Sequence, residues 1–156
     1  MSERRRTLVE DLEREEIESI LAMRKSAIVA FVDARGFPRM LPCWFVWDGE
    51  AFYTTSETDK FHVRALRVND RASFCIEYER VVDGRYRGNR QVKGVGRIEI
   101  LADPEGEWIG RILRKYLGPD AAPARDVTAA ERVVLRLAPT RLSAHGGDID
   151  WPAHGD

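Results

Sequence analysis

The sequence predicts a mainly β fold, a six-stranded antiparallel barrel with flanking helices. Three observations predict it. Short runs rich in β-branched and aromatic residues recur along the chain, Arg35-Gly36 and Asp48-Gly49 offer tight hairpins between the first of them, and too little helix stands between strands to build parallel crossovers.

Each element follows from its residues. Residues 8–24 read as an amphipathic helix, with Leu12, Ile17, Ile20 and Leu21 near one face and acids over much of the rest. Ala27 to Val32 is a strand entering a hairpin whose Gly36 is free to take positive φ. The return strand spans 38–47, and 51–55 forms a third strand after Asp48-Gly49. Residues 58–68 suit a short helix, capped by Thr58 or Asp59. Ala72 to Tyr78 is the next strand, Val81-Val82-Asp83-Gly84 a turn, and 89–101 a long strand whose Gly94 and Gly96 mark a bulge or a close backbone approach. A helix over 104–117 follows, with Asp103 as cap and Pro104 at its first position, and 133–137 is the last strand. A single domain thus spans 1–142. The polar, Gly-rich tail 143–156 is expected to be mobile or draped on a partner.

Composition excludes several function classes. A net charge of −1 across 156 residues argues against a nucleic-acid partner, and no apolar stretch is long enough to span a membrane. The basic start Arg4-Arg5-Arg6 lacks a following apolar stretch, so no signal peptide is expected and a cytoplasmic location is. The two cysteines, Cys43 and Cys75, and the three histidines are too dispersed for a metal site.

Three segments carry a resemblance. The first runs from Pro38-Arg39-Met40-Leu41 through Trp44 to Phe52-Tyr53-Thr54; the second is Arg64-Ala65-Leu66-Arg67-Val68-Asn69-Asp70-Arg71-Ala72; the third is Arg90-Gln91-Val92-Lys93-Gly94-Val95-Gly96-Arg97. In order and spacing they resemble the pyridoxamine 5′-phosphate oxidase-like FMN-binding split barrels, in particular a subgroup of small members. The resemblance implies a split barrel, FMN or alternatively the deazaflavin F420 as cofactor, and a homodimer with cofactor sites at its interface. It further implies an oxidoreductase moving a hydride to or from a small-molecule substrate. The cofactor-binding candidates are Arg39, Met40, Leu41, Pro42, Tyr53, Thr54, Thr55, Lys60, His62, Arg64 and Gln91.

The residue types agree with that implication. A flavin phosphate needs cations, hydroxyls and free N–H groups, which Tyr53 to Thr58 and then Lys60, His62 and Arg64 supply. Met40, Leu41 and Pro42 offer an apolar wall for the ring, and Gln91 an edge contact. Two departures stand out. The slot that holds a phosphate-binding lysine in the family holds His62, with Lys60 two residues earlier, so either side chain is the anchor; Lys60 is preferred for its permanent charge. Trp44 replaces the lysine with which true pyridoxine oxidases hold the substrate phosphate, so oxidation of pyridoxamine phosphate itself is not expected. No catalytic residue is assigned. The alternative is a non-catalytic flavin- or haem-binding storage protein, for which His62 is the best-placed axial ligand.

Overall fold

The computed structural model describes residues 7–82, 85–123 and 131–149. Eight strands and three helices occupy them: β1 (Thr7–Asp11), α1 (Arg14–Ala22), β2 (Ala27–Val32), β3 (Pro38–Cys43), β4 (Val46–Trp47), β5 (Phe52–Glu57), α2 (Phe61–Val68), β6 (Arg71–Val82), β7 (Arg85–Ala102), α3 (Glu107–Leu117) and β8 (Arg132–Ile149). Every pairing is antiparallel, in the order β3-β2-β6-β7-β8-β5-β4, with β1 added to β8. The two ends of this sheet, β3 and β4, are joined by only Trp44 and Phe45, so the sheet curls back on itself without a hydrogen-bonded closure. That seam makes the barrel split.

Six expected strands become eight for local reasons. The expected 38–47 strand breaks at Trp44-Phe45, where Phe45 turns into the core and the Trp44 carbonyl accepts the Thr54 hydroxyl at 2.8 Å. The first turns of the expected 8–24 helix instead extend as β1, because the end of β8 offers them an edge: Thr7 pairs with Ile149 and Asp11 with His145. The same pairing changes the expected tail. β8 runs on through residues 143–149, while 150–156, with Trp151 and His154, lie outside the described residues, as do Arg4-Arg5-Arg6 and the Asp83-Gly84 turn.

The interior is aliphatic around an aromatic stack. Phe52 lies between Phe45 and Phe74, with centroids 4.9 and 4.7 Å away and near-parallel rings. All three are fully buried, with Ile20, Leu21, Val63, Leu66, Leu135 and Leu137 around them. Burial of each such side chain contributes about 1.5–3 kcal/mol. Gly94 opposes Phe74 across β6 and β7, and a Cβ there would stand 2.3 Å from the Phe74 ring. The register of β7 against β8 shifts between Val95 and Gly96, so the two glycines serve one close approach and one bulge.

The helices settle by capping. α2 begins later than Thr58 because the Thr58 N–H is already paired with the Glu131 carbonyl, and Lys60 takes the cap position. α3 begins at Glu107 because residues 103–106 form a turn, with Gly106 at φ 66°. Buried Asp103 still caps it, accepting from the Trp108 and Ile109 N–H groups at 3.3 and 3.2 Å. Among the described residues no helix is long and apolar enough to cross a membrane.

Candidate functional site

A cavity of about 290 Å³ opens where the end of β3, the end of β5, the start of β8, α2 and α3 meet. Leu41, Pro42 and Cys43 of β3 and Ile109 and Ile112 of α3 form its apolar lining; Thr54, Thr55, Ser56, His62 and Arg132 form its polar lining, and Trp44 also borders it. Alternation along β5 explains part of this. Phe52 is spent on the core and Tyr53 faces α3, while Thr54, Thr55 and Ser56 after them line the cavity where the end of β5 is still paired with β8.

The polar lining holds an unfinished cation. Arg132 Nη2 donates to the Thr55 hydroxyl at 3.0 Å, while its Nε is buried and finds no partner among the described residues. A buried guanidinium N–H without an acceptor is costly, so an acceptor entering the cavity would be favoured at this atom. Beside it, His62 Nε2 and Ser56 Oγ are 2.7 Å apart. Burial, and then the nearby Lys60, holds the His62 pKa below the ordinary imidazole value, so His62 is neutral at pH 7. Burial also pushes the Cys43 thiol up to about 11, which keeps it a protonated, unreactive wall.

The predicted site residues divide into three groups. Leu41, Pro42, Thr54, Thr55 and His62 line the cavity together. A second group stands on exposed surface. Arg39 pairs with buried Asp33 at 2.8 Å and lies over the Phe61 ring, and Met40 is 78% exposed on the edge strand. Lys60 pairs with Glu57 at 2.8 Å, and the Arg64 guanidinium donates to the Asp59 carbonyl. The third group is elsewhere. Tyr53 stacks on Trp108 at 3.7 Å and donates to the Asp48 carboxylate at 2.7 Å, a structural role beneath α3. Gln91 sits on β7 opposite Glu77 and His145, at the far end of β8 from Arg132. Arg132 was not singled out by the sequence. It precedes an apolar strand like many surface arginines, and nothing local says that it faces Thr55.

A larger, open trough of about 740 Å³ lies on the outer face of β2, β6, β7 and β8. Asp70 and Arg97 pair within it at 2.5 Å, and Glu99 on its rim pairs with Arg136 at 3.1 Å. Size alone does not make it the site: these pairs are complete and Arg71 on its lining is exposed to water, whereas the smaller cavity holds a buried guanidinium N–H with no partner among the described residues.

Comparison with known proteins agrees with the split-barrel fold. The family described as pyridoxamine 5′-phosphate oxidase matches over residues 13–146. Among solved structures, an F420 reductase is 27% identical with a TM-score of 0.63, covering 81% of this chain and 94% of its own. A FAD-binding protein from Mesorhizobium loti is 23% identical with a TM-score of 0.65, covering 90% and 98%. The FAD and heme binding protein from Mycobacterium smegmatis is 21% identical with a TM-score of 0.70, covering 92% and 75%. Among curated proteins none matches the sequence significantly.

Proposed function

This chain belongs to the pyridoxamine 5′-phosphate oxidase family, and from that premise we propose that it is an oxidoreductase using a phosphate-bearing flavin or deazaflavin, FMN or F420, to move a hydride to or from a small organic substrate. The observation that carries the proposal is the buried Nε of Arg132, without a partner among the described residues, in a cavity shared with Thr55, Ser56, His62 and apolar side chains. That combination fits one end of such a cofactor. Arg132 and the two hydroxyls would hold an anionic oxygen, and Leu41, Pro42, Ile109 and Ile112 would exclude water from a flat ring.

When bound, the cofactor supplies the two-electron chemistry, and the chain supplies binding, orientation and dryness. His62, neutral and held by Ser56, contributes a hydrogen bond rather than a charge. Lys60, at the cap of α2, is a further cation near His62, and its Glu57 partner is exposed enough to be exchanged for an incoming anion. At about 290 Å³ the cavity lies at the small end of ligand sites, so part of the cofactor must project beyond it. Gln91 could reach that part only from a second copy of the chain, which is why we place the complete site at a homodimer interface, with Met40 and Arg39 on the facing edge strand. The free thiols Cys43 and Cys75 suit a reducing, cytoplasmic setting.

The haem-storage alternative is less favoured, because the Nε2 that would ligate iron is the atom held by Ser56. Titration of the purified protein with FMN and with F420, followed by cofactor fluorescence, tests the proposal. Saturable binding of one of them supports it, and binding of neither overturns it. A Soret band on haem addition that His62→Ala abolishes would establish the alternative instead.

A further inference from the structure

Among the described residues two indoles lie flat on phenols, and the stacks differ in what the phenol can do with its proton. Trp44 covers Tyr116 with centroids 4.7 Å apart. Trp108 covers Tyr53 at 3.7 Å with planes 12° apart, closer than the roughly 4.5–7 Å usual for paired rings. The Tyr116 hydroxyl donates to the Lys25 carbonyl at 2.7 Å, and a backbone carbonyl is too weak a base to take that proton. The Tyr53 hydroxyl donates at 2.7 Å to Oδ2 of Asp48, a carboxylate, which can take it.

The surroundings fix that direction. Arg136 Nε donates to the Tyr53 oxygen at 3.2 Å, so the phenolic O–H is left to Asp48. Asp48 is held in turn, because its Oδ1 accepts the Glu50 and Ala51 N–H groups at 2.9 and 2.8 Å. Tyr53 is only 6% exposed, whereas Trp108 is half-buried and Asp48 is exposed. An oxidant in solution therefore meets the indole, and a proton given to Asp48 passes on to water. The Arg111 guanidinium lies 4.7 Å from the Trp108 centroid, where it disfavours a positive charge left on that ring. Loss of an electron turns a phenol into a strong acid, so a phenol bonded to a carboxylate gives up electron and proton together. The pair stands beside the cavity without lining it: Thr54 and Ile109, the next residues along each element, are the ones that do.

We propose that Trp108 and Tyr53, beyond their packing role, form a relay that takes up one-electron oxidants of the radical class, with Asp48 as proton acceptor. A radical X• removes one electron from the Trp108 indole and leaves as X⁻. Tyr53 returns an electron to the indole while its phenolic proton moves to Asp48 Oδ2. The indole is restored, and a neutral tyrosyl radical remains in the interior. Asp48 releases the proton to water, and a dissolved thiol supplies the hydrogen atom that re-forms the phenol, itself becoming a thiyl radical.

The probe is the azide radical, generated by pulse radiolysis, which oxidises indoles in preference to phenols. Transient absorption then follows the indolyl and tyrosyl radicals. The expected result is a first-order phase, independent of protein concentration, in which tyrosyl signal replaces indolyl signal. Trp108→Phe and Tyr53→Phe should each lose that phase, and Tyr116→Phe should keep it. Asp48→Asn should slow it by about tenfold or more, the worth of the charge-assisted hydrogen bond that receives the proton. Heavy water should slow it in the wild type, because the proton moves with the electron. Persistence of the phase in Tyr53→Phe, its loss in Tyr116→Phe, or an unchanged rate in Asp48→Asn would overturn the relay. An unchanged wild-type rate in heavy water would overturn it too, whatever the folding of the variants. The readout requires no bound cofactor, so the cofactor reading stands or falls separately.

Discussion

The guanidinium of Arg132, at the start of β8, crosses to Thr55 on β5 and donates from Nη2 to its hydroxyl at 3.0 Å, leaving a buried Nε with no acceptor among the described residues. The residues are diagonal neighbours on a long-range ladder, since β5 and β8 run side by side with Thr55 opposite Val134 and Glu57 opposite Arg132. The ladder aims a cation at hydroxyls that sequence distance had separated.

Replacing Arg132 with Met should therefore weaken binding of the phosphate-bearing cofactor by about 10- to 100-fold, the loss of one charge-assisted hydrogen bond of about 1.5–3 kcal/mol. Arg132→Lys should recover part of it. Folding should be little affected, because the Met relieves an unsatisfied buried group. Cofactor titration together with a thermal melt reads both effects; unchanged affinity in Arg132→Met would move the anion site to Lys60.

Gly94→Ala should destabilise the fold by about 1–3 kcal/mol, the usual cost of forcing extra volume into a packed core. The added methyl would meet the Phe74 ring at 2.3 Å, and Phe74 is itself stacked on Phe52 and cannot retreat freely. Urea unfolding with an unchanged m-value would register it. A paired Phe74→Leu substitution should rescue part of the loss.

Arg90 is buried and joins three elements, donating to Glu16 of α1 and to Asp148 at the end of β8, each at 3.0 Å. Arg90→Ala should cost about 2 kcal/mol, because both carboxylates are half-exposed and regain water when their partner is lost. Arg90→Lys should lose most of the same energy, since an ammonium cannot reproduce the forked geometry. Faster amide exchange confined to α1 and the end of β8 would mark the network as their fastening. Uniform exchange would argue against that role.

Lys115 gives a pH dependence with a defined sign. Its ammonium is half-buried over the Phe45 ring, 3.7 Å from the centroid, and donates to the Leu21 carbonyl at 3.0 Å. Burial lowers its pKa from 10.5 to about 8. Below pH 8 both folded and unfolded chains hold the proton, and the folded state bears the full cost of the buried charge. Between about pH 8 and 10.5 the folded chain sheds the proton first, so this contribution to stability rises with pH. The stability of wild type relative to Lys115→Met should thus increase from pH 7.5 to 10, a comparison in which the titration of other groups cancels. A flat difference would show that the amine keeps its ordinary pKa.

Much of the fold was legible in the sequence because its causes are local. Alternating and β-branched runs placed the central strands, Gly36 and Gly49 take the positive φ their turns require, and Gly94-Val95-Gly96 marked the close approach and bulge. Asp103 caps its helix although the helix starts three residues later than expected. The order of motifs also identified the family over nearly the whole domain. The strand count and the extent of β8 were not legible, because a strand such as β1 exists only where another edge awaits it. Within the site, the same limit applied. Sequence proximity suggested Lys60 or His62 as the anion anchor; the fold pairs Lys60 with Glu57, sets His62 against Ser56 in the cavity, and adds Arg132 as a further candidate. Which cation lacks a partner is decided by what surrounds it in space, and the folded chain brings Arg132 to Thr55 and Tyr116 beneath Trp44 across separations that no local pattern encodes.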